Sequence, residues 1–309
     1  MANDKKVACV TGASGIIGSR IVKGLLQKRY TVRVLSRSNH FDDPRVELFC
    51  GGLEDEEVLR LFLRDAHLLF HCAAELNDET KMWEVNVLGT ERLLNIAKES
   101  GIVYLCHMSS AGVVGKTSLF WVDEKSPCNP QNTYEKSKWS AEQMVSRGIK
   151  GCRVVILRPT NVVDGRRPGA FLLPMRGSWW DKFKVLIKGG ECAHIVHADD
   201  VAAAALYLIS SSIESPQCFF VSCDHEPLNT FAGLWSLYRA RKVDRSIEDV
   251  QPMLHLPLIV PYMIRRLWRG QGNRGNIRYS AEKLLSLGFK FPLDVKGAVD
   301  QIISIYEHK

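Results

Sequence analysis

The stretch Thr11-Gly12-Ala13-Ser14-Gly15-Ile16-Ile17-Gly18 constrains the fold of this chain more than any other feature. It joins a β-branched run, residues 7–10, to an amphipathic stretch, residues 16–28. Glycines at this spacing permit a tight turn, a close approach of the backbone to a ligand, and tight packing of the following helix. We therefore predict a strand, a turn and a helix whose N-terminus binds the pyrophosphate of a dinucleotide. The candidate binding residues are Gly12, Ser14, Gly15, Ile16, Ile17 and Gly18.

The pattern that follows this turn predicts an α/β fold. Short apolar, largely β-branched runs at 31–35, 46–50, 68–73, 103–108 and 153–157 alternate with helical stretches at 55–64, 81–99 and 132–147. This rhythm is typical of a parallel sheet covered by helices on both faces. After Arg158-Pro159 the pattern loosens into a loop-rich insertion, a helix at 198–211, a strand at 218–222 and a mostly helical remainder from 229. The prediction is a Rossmann-type doubly wound parallel sheet with a smaller, mostly helical C-terminal substrate domain.

The expected domains are interleaved. Residues 1–160 form the dinucleotide-binding Rossmann domain, to which residues 190–223 return, and residues 161–309 form the substrate-binding region.

Composition excludes several other classes of protein. With 46% apolar and 24% charged residues, the chain is neither disordered nor collagen-like. Its nine cysteines form no Cys-x-x-Cys pair, which indicates reduced thiols and a cytoplasmic protein. His194 and His197 have no metal-site spacing with other ligands, so no metal is expected. The net charge of +7 favours acidic ligands such as phosphates without requiring nucleic acid.

No apolar run is long enough to span a membrane, and the N-terminus lacks the pattern of a signal peptide. The apolar segment at residues 253–260, followed by an arginine-rich stretch, predicts a helix packed on the body of the protein. A peripheral membrane helix with a basic edge is the alternative for residues 253–269.

The end of the second predicted strand selects the dinucleotide. An acidic residue there would bind the ribose hydroxyls of NAD and repel a 2′-phosphate. This chain has Ser36 and Arg37 instead, a hydroxyl and a guanidinium that suit the 2′-phosphate. The prediction is NADP, with NAD as the alternative if Arg37 is only a solvated surface residue.

A second group of residues carries chemistry. Tyr134 and Lys138 are four residues apart on a predicted helix and share one face, although such a pair also occurs on ordinary helix surfaces. A cation beside the phenol would let it act as an acid or base near neutral pH. The strand at 103–108 ends in Ser109-Ser110, at the sheet edge where α/β proteins bind ligands. A serine there can bind a carbonyl or alcohol oxygen while the tyrosine moves a proton.

The chain resembles the extended short-chain dehydrogenases/reductases grouped as NAD-dependent epimerase/dehydratase proteins, including nucleotide-sugar and dihydroflavonol-reductase-like members. The resemblance covers nearly the whole chain. The matching motifs are Thr11 to Gly18, His71-Cys72-Ala73-Ala74, Asn86 to Thr90, Ser109 to Gly115, Tyr134 to Lys138, Arg158 to Val162 and His197 to Ala202.

The resemblance implies a role for each matching position. Ser110, Tyr134 and Lys138 would be catalytic, with Lys138 also binding the nicotinamide ribose. Ala73 and Ala74 would line the cofactor ribose, and Pro159 and Thr160 would approach the carboxamide. The family's Asp after the third strand is replaced within Gly51-Gly52-Leu53, so only Leu53 is expected near the adenine. Dimers of relatives pair helices equivalent to 81–99 and 132–147, which implies a homodimer.

The substrate is less constrained. Ser110, Asn161 and Arg278 are the candidate substrate-binding residues, because Asn161 resembles an asparagine near a substrate phosphate and Arg278 ends the run Arg265, Arg266, Arg269, Arg274 and Arg278. That run can equally be a solvated basic surface. Trp179 and Trp180 can stack on a base, but such pairs are more commonly local core.

Four functions fit these features. The first is NADP-dependent reduction of a keto group on a nucleotide-linked deoxysugar. The alternatives are an NAD-dependent nucleotide-sugar epimerase or dehydratase, a reductase of flavanonol-like or steroid ketones, and a non-catalytic dinucleotide sensor. The presence of Ser110, Tyr134 and Lys138 argues against the sensor.

Overall fold

A computed structural model describes residues 6–39, 41–269 and 275–307. Its strands are β1 Val7–Thr11, β2 Thr31–Ser36, β3 Val46–Cys50, β4 Leu68–His71, β5 Tyr104–Met108, β6 Trp121–Val122, β7 Arg153–Pro159, β8 Asn161–Val163, β9 Ile195–His197, β10 Gln217–Val221 and β11 Arg278–Tyr279. Its α-helices are α1 Gly18–Gln27, α2 Glu56–Leu63, α3 Glu79–Trp83, α4 Gly89–Ser100, α5 Thr133–Val145, α6 Leu172–Arg176, α7 Trp179–Lys188, α8 Ala198–Tyr207, α9 Phe231–Lys242, α10 Ile259–Arg269, α11 Glu282–Leu285 and α12 Asp294–Glu307.

The central sheet has seven strands in the order β10-β7-β5-β4-β1-β2-β3. Pairing is parallel from β7 to β3, with Thr11 of β1 opposite both Leu35 of β2 and His71 of β4. Strand order therefore reverses at β1, which is the place where doubly wound sheets bind their ligands. The Rossmann-type α/β fold predicted from the sequence is confirmed.

The chain divides into two compact units. The first comprises Met1–Gly115, Cys128–Arg158 and Val201–Phe219, and the second comprises Lys116–Pro127, Pro159–Asp200 and Phe220–Lys309. The second unit thus includes Lys116–Pro127, a segment that the sequence analysis placed within the dinucleotide-binding domain. Assignment of the two units to cofactor and substrate stays a prediction.

The core of the first unit lies between the sheet and helices α2 and α4. Leu69 and Leu105 on the strands pack with Phe62 on α2 and Leu93 on α4, all fully or nearly fully buried. The apolar strands and the amphipathic helices are thus buried as their sequence patterns predict.

The helix predicted for residues 81–99 is interrupted. A π-helical turn, Glu84–Leu88, separates α3 from α4. Within it, Asn86 is buried, and its amide accepts a hydrogen bond from the Glu75 N–H (2.7 Å) and donates to the Glu75 carbonyl and to Ser137 Oγ (3.0 Å each). Single π-turns frequently occur at functional sites.

The second unit contains helices where loops were expected. Gly177 ends α6 in the left-handed conformation, and Ser178 begins α7 by accepting a hydrogen bond from the Asp181 N–H (3.1 Å). Val185 of α7 packs on Ala232 and Trp235 of α9. The interpretation of Trp179 and Trp180 as local core is wrong, because both side chains are exposed in the first turn of α7.

The helix predicted from residue 253 starts later. Residues 253–257 are not helical, and α10 begins at Ile259, after Pro252 and Pro257. Proline lacks the N–H that a helix interior requires, which accounts for the late start. Helix α10 contacts α7 and its Pro261 is buried, as expected for a helix packed on the protein, whereas Ile259, Met263 and Leu267 are exposed. Arg274 of the arginine run lies outside the described residues.

Candidate active site

The glycine-rich turn follows β1 at the point where the strand order reverses. Gly12 has a φ of 66°, and a Cβ placed on it would lie 2.6 Å from the Ala73 nitrogen. A Cβ on Gly18 would lie 2.2 Å from the Gly12 carbonyl oxygen. Both positions therefore require glycine, and the turn, the start of α1 and the segment after β4 are packed backbone to backbone.

The N-terminus of α1 can accept an anion. Ile17 precedes the helix and makes no capping hydrogen bond through its side chain, and the first turn contains no acidic residue. Ser14 and Gly15 are exposed, and Ile16 and Ile17 are half-buried. Because free N–H groups and the helix dipole favour negative charge, this turn fits the pyrophosphate of a dinucleotide.

A buried hydrogen-bond network links the end of β1, next to the turn, to β4 and α4. His71 Nδ1 lies 2.8 Å from Thr11 Oγ1, and its Nε2 lies 2.9 Å from Thr90 Oγ1. Thr11 Oγ1 also accepts a hydrogen bond from the Ala73 N–H (3.2 Å). Burial lowers the pKa of His71 to about 3, with Lys138 adding to the shift, so the imidazole is neutral at physiological pH. The sequence pointed to His71 and Thr90 only as motif positions and gave no sign of this link.

The predicted adenosine-binding residues lie around the neighbouring strand ends. Arg37 is exposed directly after β2, and Ser36 Oγ accepts a hydrogen bond from the Ser38 N–H (3.1 Å). Leu53 is buried, and a Cβ on Gly89 would lie 2.8 Å from its Cβ. Ala73 and Ala74 are half-buried just after β4.

The two serines at the end of β5 have different environments. Ser110 is half-buried and begins a short 3-10 turn, where its Oγ accepts a hydrogen bond from the Gly112 N–H (3.1 Å). Ser109 is buried and donates to Glu142 Oε2 (2.6 Å). Ser110 is the more exposed of the two serines, whereas Ser109 is bound to α5, and the role of Ser110 in substrate binding stays a prediction.

Helix α5 carries the Tyr134 and Lys138 pair. Asn132 and Glu135 form a capping box that fixes its start, so that Tyr134 lies half-buried in the first turn. Lys138 is buried, and its Nζ donates to the Met108 carbonyl at the end of β5 (2.6 Å). Burial lowers the pKa of Lys138 to about 8, while nearby Cys72 and Glu142 oppose the shift. Lys138 is thus still a cation at neutral pH, and it is held at the edge of the sheet that bears Ser110.

Helix α5 also carries a buried ion pair that the sequence did not predict. Glu142, one turn after Lys138, binds Arg158 through both carboxylate oxygens, with Nε at 3.2 and 3.1 Å and Nη2 at 2.5 Å. The same carboxylate accepts the hydrogen bond from Ser109. The spacing of Glu142 from Lys138 on one helix was the available signal, but it does not show that α5 places Glu142 beside Arg158 of β7.

The remaining predicted residues belong to the second unit. Pro159 is buried, and Thr160 Oγ1 is a buried oxygen without a hydrogen-bond partner among the described residues. Asn161 donates from its amide to the Ala193 carbonyl (2.9 Å), and Arg278 donates from Nη1 to the Asp224 carbonyl. The two predicted phosphate-binding side chains are therefore both hydrogen-bonded within the protein.

The second unit also contains a cluster that the spacing of its residues did not reveal. Ligand atoms of Cys192, His194 and Asp224 lie within 4.8 Å of one another. However, the Asp224 carboxylate already accepts hydrogen bonds from the Tyr279 N–H (2.9 Å) and Asn229 (3.3 Å) and lies 2.6 Å from His194 Nδ1. Burial raises the pKa of Cys192 to about 12, and a metal ligand would have to be the thiolate. These contacts favour a hydrogen-bonded cluster, and the absence of a metal stays a prediction.

The fold and this site define a nicotinamide-dinucleotide-dependent enzyme of the extended short-chain dehydrogenase/reductase type. The model of the NAD dependent epimerase/dehydratase family matches residues 8–221, and the chain belongs to this family. The predicted family resemblance is therefore confirmed.

Relatives and solved structures agree with this membership. The chain is 26% identical over 279 residues to mouse sterol-4-alpha-carboxylate 3-dehydrogenase, decarboxylating. This match covers 84% of this chain and 74% of the relative. Two further curated relatives match over only 52% and 51% of their own lengths. Among solved structures, the chain is similar to Bordetella bronchiseptica WbmG in complex with NAD (TM-score 0.75, 18% identity, 99% of this chain and 96% of that one). It is also similar to Thermotoga maritima UDP-glucose 4-epimerase with UDP-glucose (TM-score 0.72, 19% identity, 98% and 99% covered).

Among the described residues, no helix is both long and apolar enough to cross a membrane.

Proposed function

We propose that this protein interconverts a secondary alcohol and a ketone, with Tyr134 as the acid and base. The observation that carries the proposal is the buried Lys138 ammonium. Lys138 lies one helical turn after Tyr134 on α5, and its ammonium donates a hydrogen bond to the Met108 carbonyl. A cation at this position stabilises the phenolate and lowers the pKa of a phenol. The nicotinamide cofactor, when bound, supplies or accepts the hydride.

Each residue then has one task. In reduction, the Tyr134 hydroxyl gives its proton to the carbonyl oxygen as the hydride reaches the carbonyl carbon, and in oxidation the phenolate removes that proton. Ser110 donates a hydrogen bond to the same oxygen. Thr160 has a buried hydroxyl without a hydrogen-bond partner among the described residues, and this hydroxyl can bind the carboxamide of the nicotinamide.

NADP is the proposed cofactor, on the strength of Arg37, which is exposed at the end of β2. The structures of relatives that contain NAD support the alternative cofactor.

The substrate class that we favour is an apolar, sterol-type alcohol or ketone. Asn161 and Arg278 both donate to backbone carbonyls of their own unit, and this engagement reduces their capacity to bind a substrate diphosphate. The mouse sterol dehydrogenase, which matches most of the chain, supports the same class.

A nucleotide-linked deoxysugar with a keto group is the second candidate. It is supported by the UDP-glucose complex of the Thermotoga epimerase and by the UDP-glucuronic acid complex of MoeE5. We also propose that the protein is a cytoplasmic homodimer.

Substrate panels would decide between these candidates. The purified protein would be incubated with each nicotinamide cofactor and with sterol alcohols, steroid ketones or nucleotide-linked keto sugars, and the absorbance of the reduced nicotinamide would be followed. Turnover of sterols alone supports the favoured class, and turnover of keto sugars alone supports the second. Epimerisation with retained NAD and no net redox change would contradict both.

The Tyr134→Phe variant tests the role of the phenol. It keeps the ring and loses the proton donor, so we expect kcat to fall by about a thousandfold or more. Cofactor affinity, measured by quenching of protein fluorescence, should be unchanged. Near-normal turnover would remove Tyr134 from the mechanism.

A further inference from the structure

Three aromatic side chains are exposed on α7. Trp179 and Trp180 are 67% and 64% exposed, and Phe183 is also exposed. They contact one another, with Trp179 4.5 Å from Trp180 and stacked on Phe183 at 5.9 Å between ring centres. Asp181 and Val185, on the other side of the helix, are buried. An aromatic cluster that faces water instead of the core indicates a binding surface.

Helix α10 exposes an apolar stripe of its own. Ile259, Met263 and Leu267 follow one another at intervals of four residues, and Leu267 is 79% exposed. Residues at this interval lie on one face of a helix, and such a stripe is normally buried against a neighbouring element. Here the stripe faces solvent.

The two helices are neighbours within the second unit. The Leu256 N–H, just before α10, donates to the Leu186 carbonyl near the end of α7 (2.7 Å). A Cβ on Gly189 would lie 2.5 Å from the Cβ of His255. Leu186 and Leu254 at this junction are themselves exposed. We call the exposed large apolar residues of both helices and the junction the apolar face; they are Trp179, Trp180, Phe183, Leu186, Leu254, Ile259, Met263, Ile264 and Leu267.

The exposed charged residues that the structure describes on α7 and α10 are all basic. Lys182, Lys184, Lys188 and Arg266 are exposed. The only acidic residue in 172–188 is Asp181, which is buried and pairs with Arg176 (2.8 Å) and with Lys184 (3.9 Å), and the segment 251–269 has none. The apolar face is therefore accompanied by basic side chains and no exposed acidic ones in these two segments.

This combination selects the partner. Tryptophan favours the boundary between hydrocarbon and water, and lysine and arginine favour anionic headgroups. A second copy of the chain would bring the same lysines toward one another, which electrostatic complementarity disfavours. We propose that the apolar face binds the surface of an anionic lipid bilayer, with its aromatic and aliphatic side chains inserted at the headgroup level and α10 lying in the plane of the membrane.

Co-sedimentation with vesicles tests this proposal independently of turnover and of the substrate class. The full chain would be mixed with vesicles of phosphatidylcholine alone or of phosphatidylcholine with phosphatidylglycerol. We expect binding to the anionic vesicles that weakens with added salt. The triple variant Trp179→Ser, Trp180→Ser, Leu267→Ser should weaken this binding at least tenfold, whereas Trp83→Ser, which removes a tryptophan exposed on α3, should not.

A charge variant separates the two contributions. The quadruple variant should bind anionic vesicles with less preference over neutral ones than the wild type; it combines Lys182→Gln, Lys184→Gln, Lys188→Gln and Arg266→Gln. All positions are exposed, so thermal unfolding should be unchanged and would show that each variant is folded. The proposal is wrong if the wild type stays in the supernatant with anionic vesicles, or if the triple variant binds as well as the wild type. A dimer that the triple variant dissociates, without vesicle binding, would instead assign the surface to a second copy.

Discussion

At the scale of single residues, Arg37 offers a direct test of cofactor choice. Replacement of Arg37 by Asp places a negative charge where the 2′-phosphate is proposed to bind. We expect the Kd for NADPH to rise at least tenfold, about 1.4 kcal/mol, while the Kd for NADH stays the same or falls. Titration of protein fluorescence measures both constants. Arg147→Asp is the matched control, because Arg147 is also exposed and the charge change is the same.

Glu142 is expected to act as a positioning residue for the serines at the end of β5, because its carboxylate binds both Ser109 and Arg158. The variant Glu142→Gln leaves the buried Arg158 without its ionic partner, so we expect the free energy of unfolding to fall by about 3 kcal/mol. Chemical denaturation measures this loss.

The double variant Glu142→Met, Arg158→Met separates stability from positioning. It removes both buried charges and should recover much of the stability. Ser109 then lacks its acceptor, so kcat should remain lower than in the wild type by about tenfold to a hundredfold, with KM little changed. Full recovery of kcat together with stability would show that the ion pair is purely structural.

At the scale of elements, the glycine turn makes a strict prediction. In Gly18→Ala the new Cβ would lie 2.2 Å from the Gly12 carbonyl oxygen, so the turn must shift. Because the pyrophosphate is proposed to bind this turn, we expect nicotinamide dinucleotide affinity to drop at least tenfold by calorimetric titration. Gly297→Ala, whose Cβ would make an ordinary 3.4 Å contact in α12, should leave the affinity unchanged. Equal affinities in the two variants would exclude the turn as the pyrophosphate site.

Elements with local signals were predictable from the sequence. The capping residues Asn132 and Glu135 place the start of α5, and the predicted helix 132–147 agrees with Thr133–Val145. Helix α7 was missed because Gly177 and the tryptophan pair suggested a loop, whereas Ser178 acts as its cap. The periodicity of α10 predicts an apolar stripe but contains no information on whether another element covers it.

The candidate site was predictable where one segment carries it, as with Tyr134 and Lys138. The contacts of Glu142 with Arg158 and of His71 with Thr11 and Thr90 join residues far apart in the chain. Strand order and register create these contacts, and neither is encoded by the spacing of residues within one motif.

At the scale of the whole molecule, two carboxyl groups, the buried Asp200 and the half-buried Glu226, predict the response of stability to pH. Asp200 accepts a hydrogen bond from the Leu293 N–H (2.9 Å), and Glu226 accepts one from the Val295 N–H (3.1 and 3.2 Å), at the start of α12. Burial raises the pKa of each to about 7, and neighbouring carboxylates add to both shifts. The unfolded groups titrate near pH 4, so the folded protein binds more protons between about pH 4 and about pH 7. Stability should therefore fall as the pH rises through this window.

The variants Asp200→Asn and Glu226→Gln keep an oxygen acceptor and cannot ionise. Each should flatten the pH dependence and increase the free energy of unfolding at pH 8 by at least about 1 kcal/mol, since one pKa unit corresponds to about 1.4 kcal/mol. Thermal unfolding followed by circular dichroism between pH 5 and pH 8 measures the change. A wild type whose stability rises across this range would contradict the assignment.

The chain passes back and forth between its two units, and this limits how genes for such proteins can recombine to exchange whole units. Each unit is assembled from three separate segments, and the segments alternate along the sequence. A gene hybrid made by a single crossover with a relative would therefore join residues of different origin within at least one core. Transplanting the whole second unit requires five junctions. New specificity in this lineage is thus expected to arise by point substitutions and by replacement of short segments within a unit, rather than by the shuffling of intact domains.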